Sequence, residues 1–321
     1  MAHYKILIVG GAGFIGYHFA KHFSLLGHEV TIIDNLSRGR MDSNLKKLIS
    51  DFKINFYKHD LKKELKITNN NFDFIIHLAA ILGVSRVISY PYETLYQNIN
   101  ILNTIIRFAK KCKKLKKFIF LSTSEVYAGT LRKKELIFPT KENQKIIIDQ
   151  EFPKRDSYYL SKIIGEGMVK YSCKKYVIFR PHNFFGERMG NSHVIPELYN
   201  KIKNSNQTKI SLKNCSHYRC FCYIKDAINL MSKVIFSNSV NNNTFNIGDN
   251  TKEISILNLA KKINKFCKKE FKFINLNEKD FSPKRRYPDI NSILKLNKKF
   301  KFENFDKSLS NTLLWYSNNK N

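Results

Sequence analysis

Gly10-Gly11-Ala12-Gly13-Phe14-Ile15-Gly16 is the stretch whose reading decides the fold. Before it runs Tyr4-Lys5-Ile6-Leu7-Ile8-Val9, short and apolar, as a buried strand would be. After it comes Tyr17-His18-Phe19-Ala20-Lys21-His22-Phe23, with apolar residues at helical spacing. Strand, glycine turn and helix in that order form the first half of a βαβ unit. Glycines let the backbone turn tightly and approach a pyrophosphate, whose charge then rests on the amides at the helix N-terminus. The pattern reads both as GxGxxG from Gly11 and as GxxGxxG from Gly10. It acquires meaning from its context.

That context continues with a second strand, residues 28–33, ending at Asp34. An acidic residue about 20 positions beyond the glycine loop accepts hydrogen bonds from ribose hydroxyls and repels a 2′-phosphate, which favours NAD over NADP. Arg38 and Arg40 follow closely and soften that preference. Further strands are expected at 53–57, 72–77, 117–122 and 176–180, with helices at about 92–111 and 157–172. This alternation predicts an α/β fold with a Rossmann-type doubly wound parallel sheet, covered on both faces. His77, in an apolar strand, reads as a packed core histidine. Residues 130–156 are polar and irregular and read as a surface loop. The dinucleotide domain is expected to span 1–180, with a returning strand near 244–248. Residues 181–321 are expected mainly to form a smaller substrate-binding lobe.

Composition narrows the class. The 321 residues are long enough to bury a sizeable core, and 43% of them are hydrophobic. No stretch approaches the ~20 apolar residues that cross a bilayer, and the first apolar run ends in glycines rather than a cleavage site, so a cytoplasmic protein with no membrane contact is expected. The six cysteines (Cys112, Cys173, Cys215, Cys220, Cys222 and Cys267) lack metal-site spacing and read as reduced thiols, with no metal. Cys220-Phe221-Cys222 looks like one alternating strand with both thiols on one face. The net charge of +30 would suit a polyanion. The lysines, however, are spread along the chain, and the clusters at 110–117 and 261–272 lack the aromatic interleaving of a single-strand binder. Nucleic acid is therefore not the expected partner.

Tyr158 and Lys162 lie four apart on a predicted helix and share a face. A nearby ammonium and a cationic nicotinamide would lower the phenol's pKa toward neutrality, fitting it to take a proton from a sugar hydroxyl. The same YxxxK spacing recurs at Tyr17/Lys21, Tyr171/Lys175, Tyr199/Lys203 and Tyr316/Lys320, so spacing alone selects nothing. Order does. Tyr158 follows the strand ending in Ser122-Thr123-Ser124-Glu125-Val126-Tyr127, and a strand's C-terminal end faces the ligand crevice of an open α/β sheet. Thr123 could bond the same substrate oxygen, and Glu125 adds a carboxylate.

Taken with Asp60-Leu61, His77-Leu78-Ala79-Ala80, Asn98, Arg180-Pro181-His182-Asn183, residues 219–226 and residues 285–289, these motifs resemble the NAD-dependent epimerase/dehydratase family of extended short-chain dehydrogenase/reductases. The resemblance covers nearly the whole chain. It implies catalysis by Thr123, Tyr158 and Lys162, joined by Glu125 in some reactions. It implies NAD held by Gly10, Gly13, Phe14, Ile15, Gly16, Asp34, Asn35, Asp60, Leu61, Leu78, Ala79, Ala80, Asn98, Tyr158 and Lys162. A nucleoside-diphosphate sugar would be bound by Asn183, His193, Arg219 and Arg286, the guanidinium forks suiting phosphate oxygens. It also implies a homodimer through the helices at 92–111 and 157–172.

Among reactions, epimerisation through a transient keto-sugar is the expectation. The alternatives are a 4,6-dehydratase or a UDP-glucuronate decarboxylase using Glu125. Family dehydratases acting on dTDP-glucose usually carry Asp-Glu where this chain has Ser124-Glu125. A distant alternative is a non-catalytic, RNA-binding family member.

Overall fold

A computed structural model of the chain describes residues 3–276 and 283–319. Six strands pair in parallel: β1 (Lys5–Val9), β2 (Glu29–Asp34), β3 (Asn55–Lys58), β4 (Phe74–His77), β5 (Lys117–Leu121) and β6 (Tyr176–Pro181). Their spatial order is β3-β2-β1-β4-β5-β6, and a seventh strand, Asn243–Ile247, lies beside β6. The order reverses between β1 and β4, and an open sheet offers its ligand crevice at such a reversal, beyond the strands' carboxyl ends. Four consecutive residues of β1, Ile6, Leu7, Ile8 and Val9, are fully buried, as a parallel strand covered on both faces requires. The doubly wound α/β sheet expected from the sequence is present.

The chain divides into two compact units. The first comprises residues 1–135, 145–181 and 228–245, and carries the main sheet. Its helices include α1 (Phe14–Leu25), α2 (Ser43–Phe52), α3 (Val84–Ser89), α4 (Pro91–Lys111), α5 (Ala128–Arg132) and α6 (Asp156–Ser172), with most of a later helix, Ile224–Phe236. Helices α4 and α6 pack together, joined by Asn98 Nδ2 donating to Ser161 Oγ at 3.1 Å. The second comprises residues 136–144, 182–227 and 246–321, with small sheets of two and three strands. No helix among the described residues is long and apolar enough to cross a membrane.

Several local expectations are corrected. Cys220-Phe221-Cys222 is not one strand: Tyr218–Cys220 pairs with Glu253–Ser255 and Arg285–Arg286, whereas Cys222–Tyr223 pairs with Phe184–Phe185. Both thiols are nonetheless buried and unbonded to other cysteines. Residues 130–156 are not simply a surface loop. Thr130 is fully buried, and its hydroxyl donates to Lys145 O at 2.6 Å and accepts from Ile147 N at 3.2 Å. A Cβ on Gly129 would lie 1.8 Å from Ile147 O, so only glycine lets this segment close so tightly.

Lys117 departs most from a solvated lysine cluster. It is 3% exposed, and its Nζ donates to the carbonyls of Val234, Ile235 and Ser237 at 3.2, 3.0 and 2.8 Å. It thereby caps the carboxyl end of the helix Ile224–Phe236. His77 is packed as expected, 1% exposed and stacked on Phe120 with centroids 5.9 Å apart.

Candidate active site

The glycine turn is built around backbone contact. Gly10 has φ of 85°, and a Cβ there would lie 2.8 Å from Ala79 N. A Cβ on Gly16 would lie 2.3 Å from Gly10 O, so α1 can sit on the turn only without a side chain there. Gly13 takes the N-cap position of α1, and no side chain caps that end. A Cβ at Gly13 would meet only Gly10 O, at 3.4 Å. The positive end of the helix thus faces an open cradle of the kind that receives a diphosphate.

Asp34, at the end of β2, closes the turn from the side. Its carboxylate accepts from Ala12 N at 3.0 Å and Leu36 N at 2.8 Å. These two bonds hold the carboxylate at the end of β2, the position from which an acidic side chain reaches ribose hydroxyls. Asn35 follows, its Oδ1 accepting from Ser37 N. Asp60 and Leu61 come just beyond β3, where Asp60 accepts from Lys62 N and Leu61 is buried. Leu78 and Ala79 both donate to Val9 O, which binds the segment after β4 to β1. Asn98, 7% exposed, holds the next step of that segment: its Oδ1 accepts from Ile81 N at 2.7 Å and its Nδ2 donates to Ile81 O at 3.0 Å. These residues fit a dinucleotide with a free 2′-hydroxyl.

Beyond β5 the chain makes a short 3₁₀ turn, Ser124–Tyr127, capped by Thr123 Oγ1 accepting from Glu125 N at 3.2 Å. The Thr123 hydroxyl also hydrogen-bonds the Tyr158 phenol. On α6, Lys162 is 3% exposed and lies 5.9 Å from the Tyr158 ring centroid and 4.9 Å from that of Phe120, its Nζ donating to Leu121 O at 2.8 Å. Thr123, Tyr158 and Lys162 therefore meet in one place, and Glu125 is close enough for its charge to act on Tyr158.

The chain's own electrostatics supply one part of the balance at Tyr158. The protein's own groups do not lower the Tyr158 pKa toward neutrality. Burial pushes it up to about 12, with Glu125 adding to the rise, while the Thr123 hydrogen bond and the Arg38 guanidinium oppose it. Lys162 is brought down to about 8 by burial, opposed by Glu166. His77 is held down at about 3 by burial and the Lys162 charge, and is neutral at physiological pH.

Sequence reading missed three groups here. Arg155 stands 4.0 Å from the Glu125 carboxylate. Arg38, weighed only for cofactor choice, acts electrostatically on Tyr158. Glu166 sits four residues beyond Lys162, a repeat of the Tyr158–Lys162 spacing that marked it as a resident of the same helix face.

In the second unit, Arg219 and Arg286 are direct partners across a parallel strand pair. Arg219 Nη1 donates to Tyr218 O at 2.7 Å. Two cationic side chains at neighbouring ladder positions suit an anion with several oxygens. Asn183 has φ of 45°, and its Nδ2 donates to Cys220 O at 3.1 Å. His193 takes the N-cap position of the helix Val194–Asn204.

Comparison with known proteins adds identity to this geometry. Residues 6–248 match the NAD dependent epimerase/dehydratase family. The chain is 30% identical over 277 residues to a dTDP-D-glucose 4,6-dehydratase of Dictyostelium discoideum, covering 81% of this chain but only 61% of that protein's length. It is 28% identical over 327 residues to a UDP-N-acetyl-alpha-D-glucosaminuronate decarboxylase of Bacillus cytotoxicus, covering 97% of each. Its fold is similar to that of a UDP-N-acetylglucosamine 4-epimerase from Methanobrevibacter ruminantium M1, with a TM-score of 0.82, 25% identity and 99% of each chain covered.

Proposed function

Because this chain belongs to the NAD dependent epimerase/dehydratase family, whose members are NAD-dependent enzymes, we propose that it is a nucleotide-sugar epimerase working through a transient keto-sugar. The observation that carries the reading is the meeting of Thr123, Tyr158 and Lys162 at the carboxyl end of β5. That set suffices to remove and return one proton.

NAD, held by residues 10–16, Asp34, Asn35, Asp60, Leu61, Leu78, Ala79 and Ala80, would supply the hydride acceptor and donor. The protein's part is proton chemistry and positioning. Thr123 donates to the Tyr158 oxygen and steadies the phenolate, the form that takes the proton from the sugar hydroxyl. The Lys162 ammonium, fixed by the Leu121 carbonyl and the Phe120 ring, stabilises that phenolate by charge. Asn98 holds the segment at Ile81, a supporting role through protein contacts. Arg219 and Arg286 would grip the sugar nucleotide's diphosphate, and Asn183 and His193 would add further contacts to the sugar nucleotide. We also propose a second copy of the chain as partner, docked on α4 and α6. Tyr92 and Tyr96 on α4 and Ile164 and Tyr171 on α6 are exposed by 70%, 51%, 42% and 92%.

A second reading, a decarboxylase or 4,6-dehydratase, is favoured by the Glu125 carboxylate acting on Tyr158. Against it as the first choice, position 124 is serine, and Glu125 is engaged by Arg155 at 4.0 Å.

One experiment separates the reactions. The protein with NAD is incubated with UDP-glucose, UDP-N-acetylglucosamine, GDP-mannose, CDP-glucose, dTDP-glucose and UDP-glucuronate, and products are read by mass spectrometry and NMR. An epimer of unchanged mass supports the proposal. Loss of water or of CO₂ replaces it with the second reading. Retained NAD with no turnover, together with salt-sensitive RNA binding, would instead indicate a non-catalytic member.

A further inference from the structure

Behind Lys162 lies a buried polar network that the mechanism above leaves unused. Glu166 Oε1 accepts from Ser122 Oγ at 2.6 Å and from Arg180 Nε at 2.8 Å, and its Oε2 accepts from Arg180 Nη2 at 2.7 Å. Arg180 Nη1 donates to the Tyr127 hydroxyl at 2.8 Å. All four residues are buried: Ser122, Glu166 and Arg180 are 3%, 4% and 3% exposed, and Tyr127 2%.

The location of these four is informative. Ser122 immediately precedes Thr123, and Tyr127 ends the 3₁₀ turn that Thr123 caps. Glu166 lies on the α6 face that carries Tyr158 and Lys162, and Arg180 comes from β6. A bidentate guanidinium–carboxylate pair fixes direction as well as distance. The network therefore joins the elements that carry all three reacting groups.

We propose that Glu166 is a positioning residue of this site: locked by Ser122, Arg180 and Tyr127, its carboxylate ties the end of β5 to α6 and presents a fixed negative charge to the Lys162 ammonium. The inference rests on the reading of Tyr158 and Lys162 given above. Besides Glu166 and the Arg180 guanidinium paired with it from β6, the groups that face Lys162 carry no net charge. These are the Phe120 ring and Leu121 carbonyl from β5, neutral His77 from β4, and the phenol of Tyr158 on its own helix. Burial lowers its pKa, and Glu166 is the neighbour that opposes this.

The test is the pH dependence of turnover on whichever nucleotide sugar of the panel the wild type converts. The Tyr158 phenol is pushed up to about 12, so its phenolate gains with rising pH what the Lys162 ammonium loses above about 8, and the wild-type rate should climb with pH and level off near 8. Glu166→Gln removes the charge but strands Arg180, which risks misfolding. The double variant Glu166→Gln/Arg180→Gln removes both charges and keeps hydrogen-bonding groups in place. In the double variant that levelling point should move down by about half to one pH unit, because losing the Arg180 cation offsets part of the effect of a charge one helical turn away at an effective dielectric near 20. A levelling point that stays where it is in the double variant overturns the proposal, whatever happens to thermal stability, because the network is then only structural. Tyr158→Phe is measured alongside. If it turns over substrate at the wild-type rate, or if the wild type converts none of the panel, the reading of the site falls and takes this proposal with it.

Discussion

Replacing Lys117 with methionine tests how a buried cation can hold a helix end. The substitution keeps the length of the side chain and removes its nitrogen. Three carbonyls, those of Val234, Ile235 and Ser237, lose their donor. Hydrogen bonds to a charged group are worth about 1.5–3 kcal/mol each, so three amount to roughly 6 kcal/mol. Against this stands the cost of keeping the ammonium out of water, which brings its pKa down to about 8. That depression from 10.5 corresponds to about 3 kcal/mol. The difference predicts that Lys117→Met destabilises the protein by about 3 kcal/mol at pH 7. Equilibrium urea unfolding at that pH measures it.

The sign of the pH effect follows from the same numbers. Between about pH 8 and 10.5 the unfolded chain binds a proton at this residue that the folded chain has released, so the wild type gains stability there as pH rises. Lys117→Met has no such gain, and its deficit should widen on going from pH 7 to pH 10. Lys116→Met is the comparison. That lysine is half exposed and pairs with Asp73 at 3.2 Å, and its loss should cost less than about 1 kcal/mol. A Lys117→Met protein as stable as the wild type at both pH values would refute the reasoning.

Gly16→Ala forces a methyl group to within 2.3 Å of Gly10 O, where only backbone can yield. Isothermal titration should show NAD binding at least about tenfold weaker, whereas Gly27→Ala, at a position with open space and φ of 80°, should lower stability through backbone strain and leave NAD affinity intact. Asn98→Ala removes both bonds to Ile81 and the bond to Ser161, leaving buried partners unsatisfied at about 1–3 kcal/mol each. It should lower the melting temperature and loosen amide protection around Ile81 in hydrogen exchange. Tyr158→Phe should lose about 10²- to 10⁴-fold in turnover with NAD still bound.

Residues 5–34 were readable because strand, turn and helix there are contiguous, and every local preference agrees with the final contacts. The pairing of Tyr158 with Thr123 was readable only from chain order, since five stretches of the sequence carry the same tyrosine–lysine spacing. Lys117 was not readable. In the sequence it is one more lysine in a basic run, and its partners lie more than a hundred residues away. The pairing of Glu166 with Arg180 was hidden for a related reason: helical spacing puts Glu166 on the Lys162 face, but nothing in it names a partner on a neighbouring strand. The break at Phe221 was concealed because two short strands with different partners share one alternating stretch. Burial, which raises the Tyr158 pKa, was not legible either, because the spacing of Tyr158 and Lys162 does not show how deeply the phenol is packed.

The chain's weaving between its two units also bears on how such a protein can be divided or recombined. The edge of the main sheet beside β6 is filled by Asn243–Ile247, and the helix capped by Lys117 comes from the same late stretch of sequence. A gene fragment stopping at Pro181 would therefore leave β6 as an open strand edge, a template for aggregation, and would leave Lys117 a buried cation without acceptors. A swap at a single junction would carry away part of the sheet along with the second unit. Chimeras with altered specificity would have to be assembled by exchanging the inserted segments 136–144, 182–227 and 246–321 together, a constraint that would also channel natural variation into those segments rather than into wholesale exchange of one half.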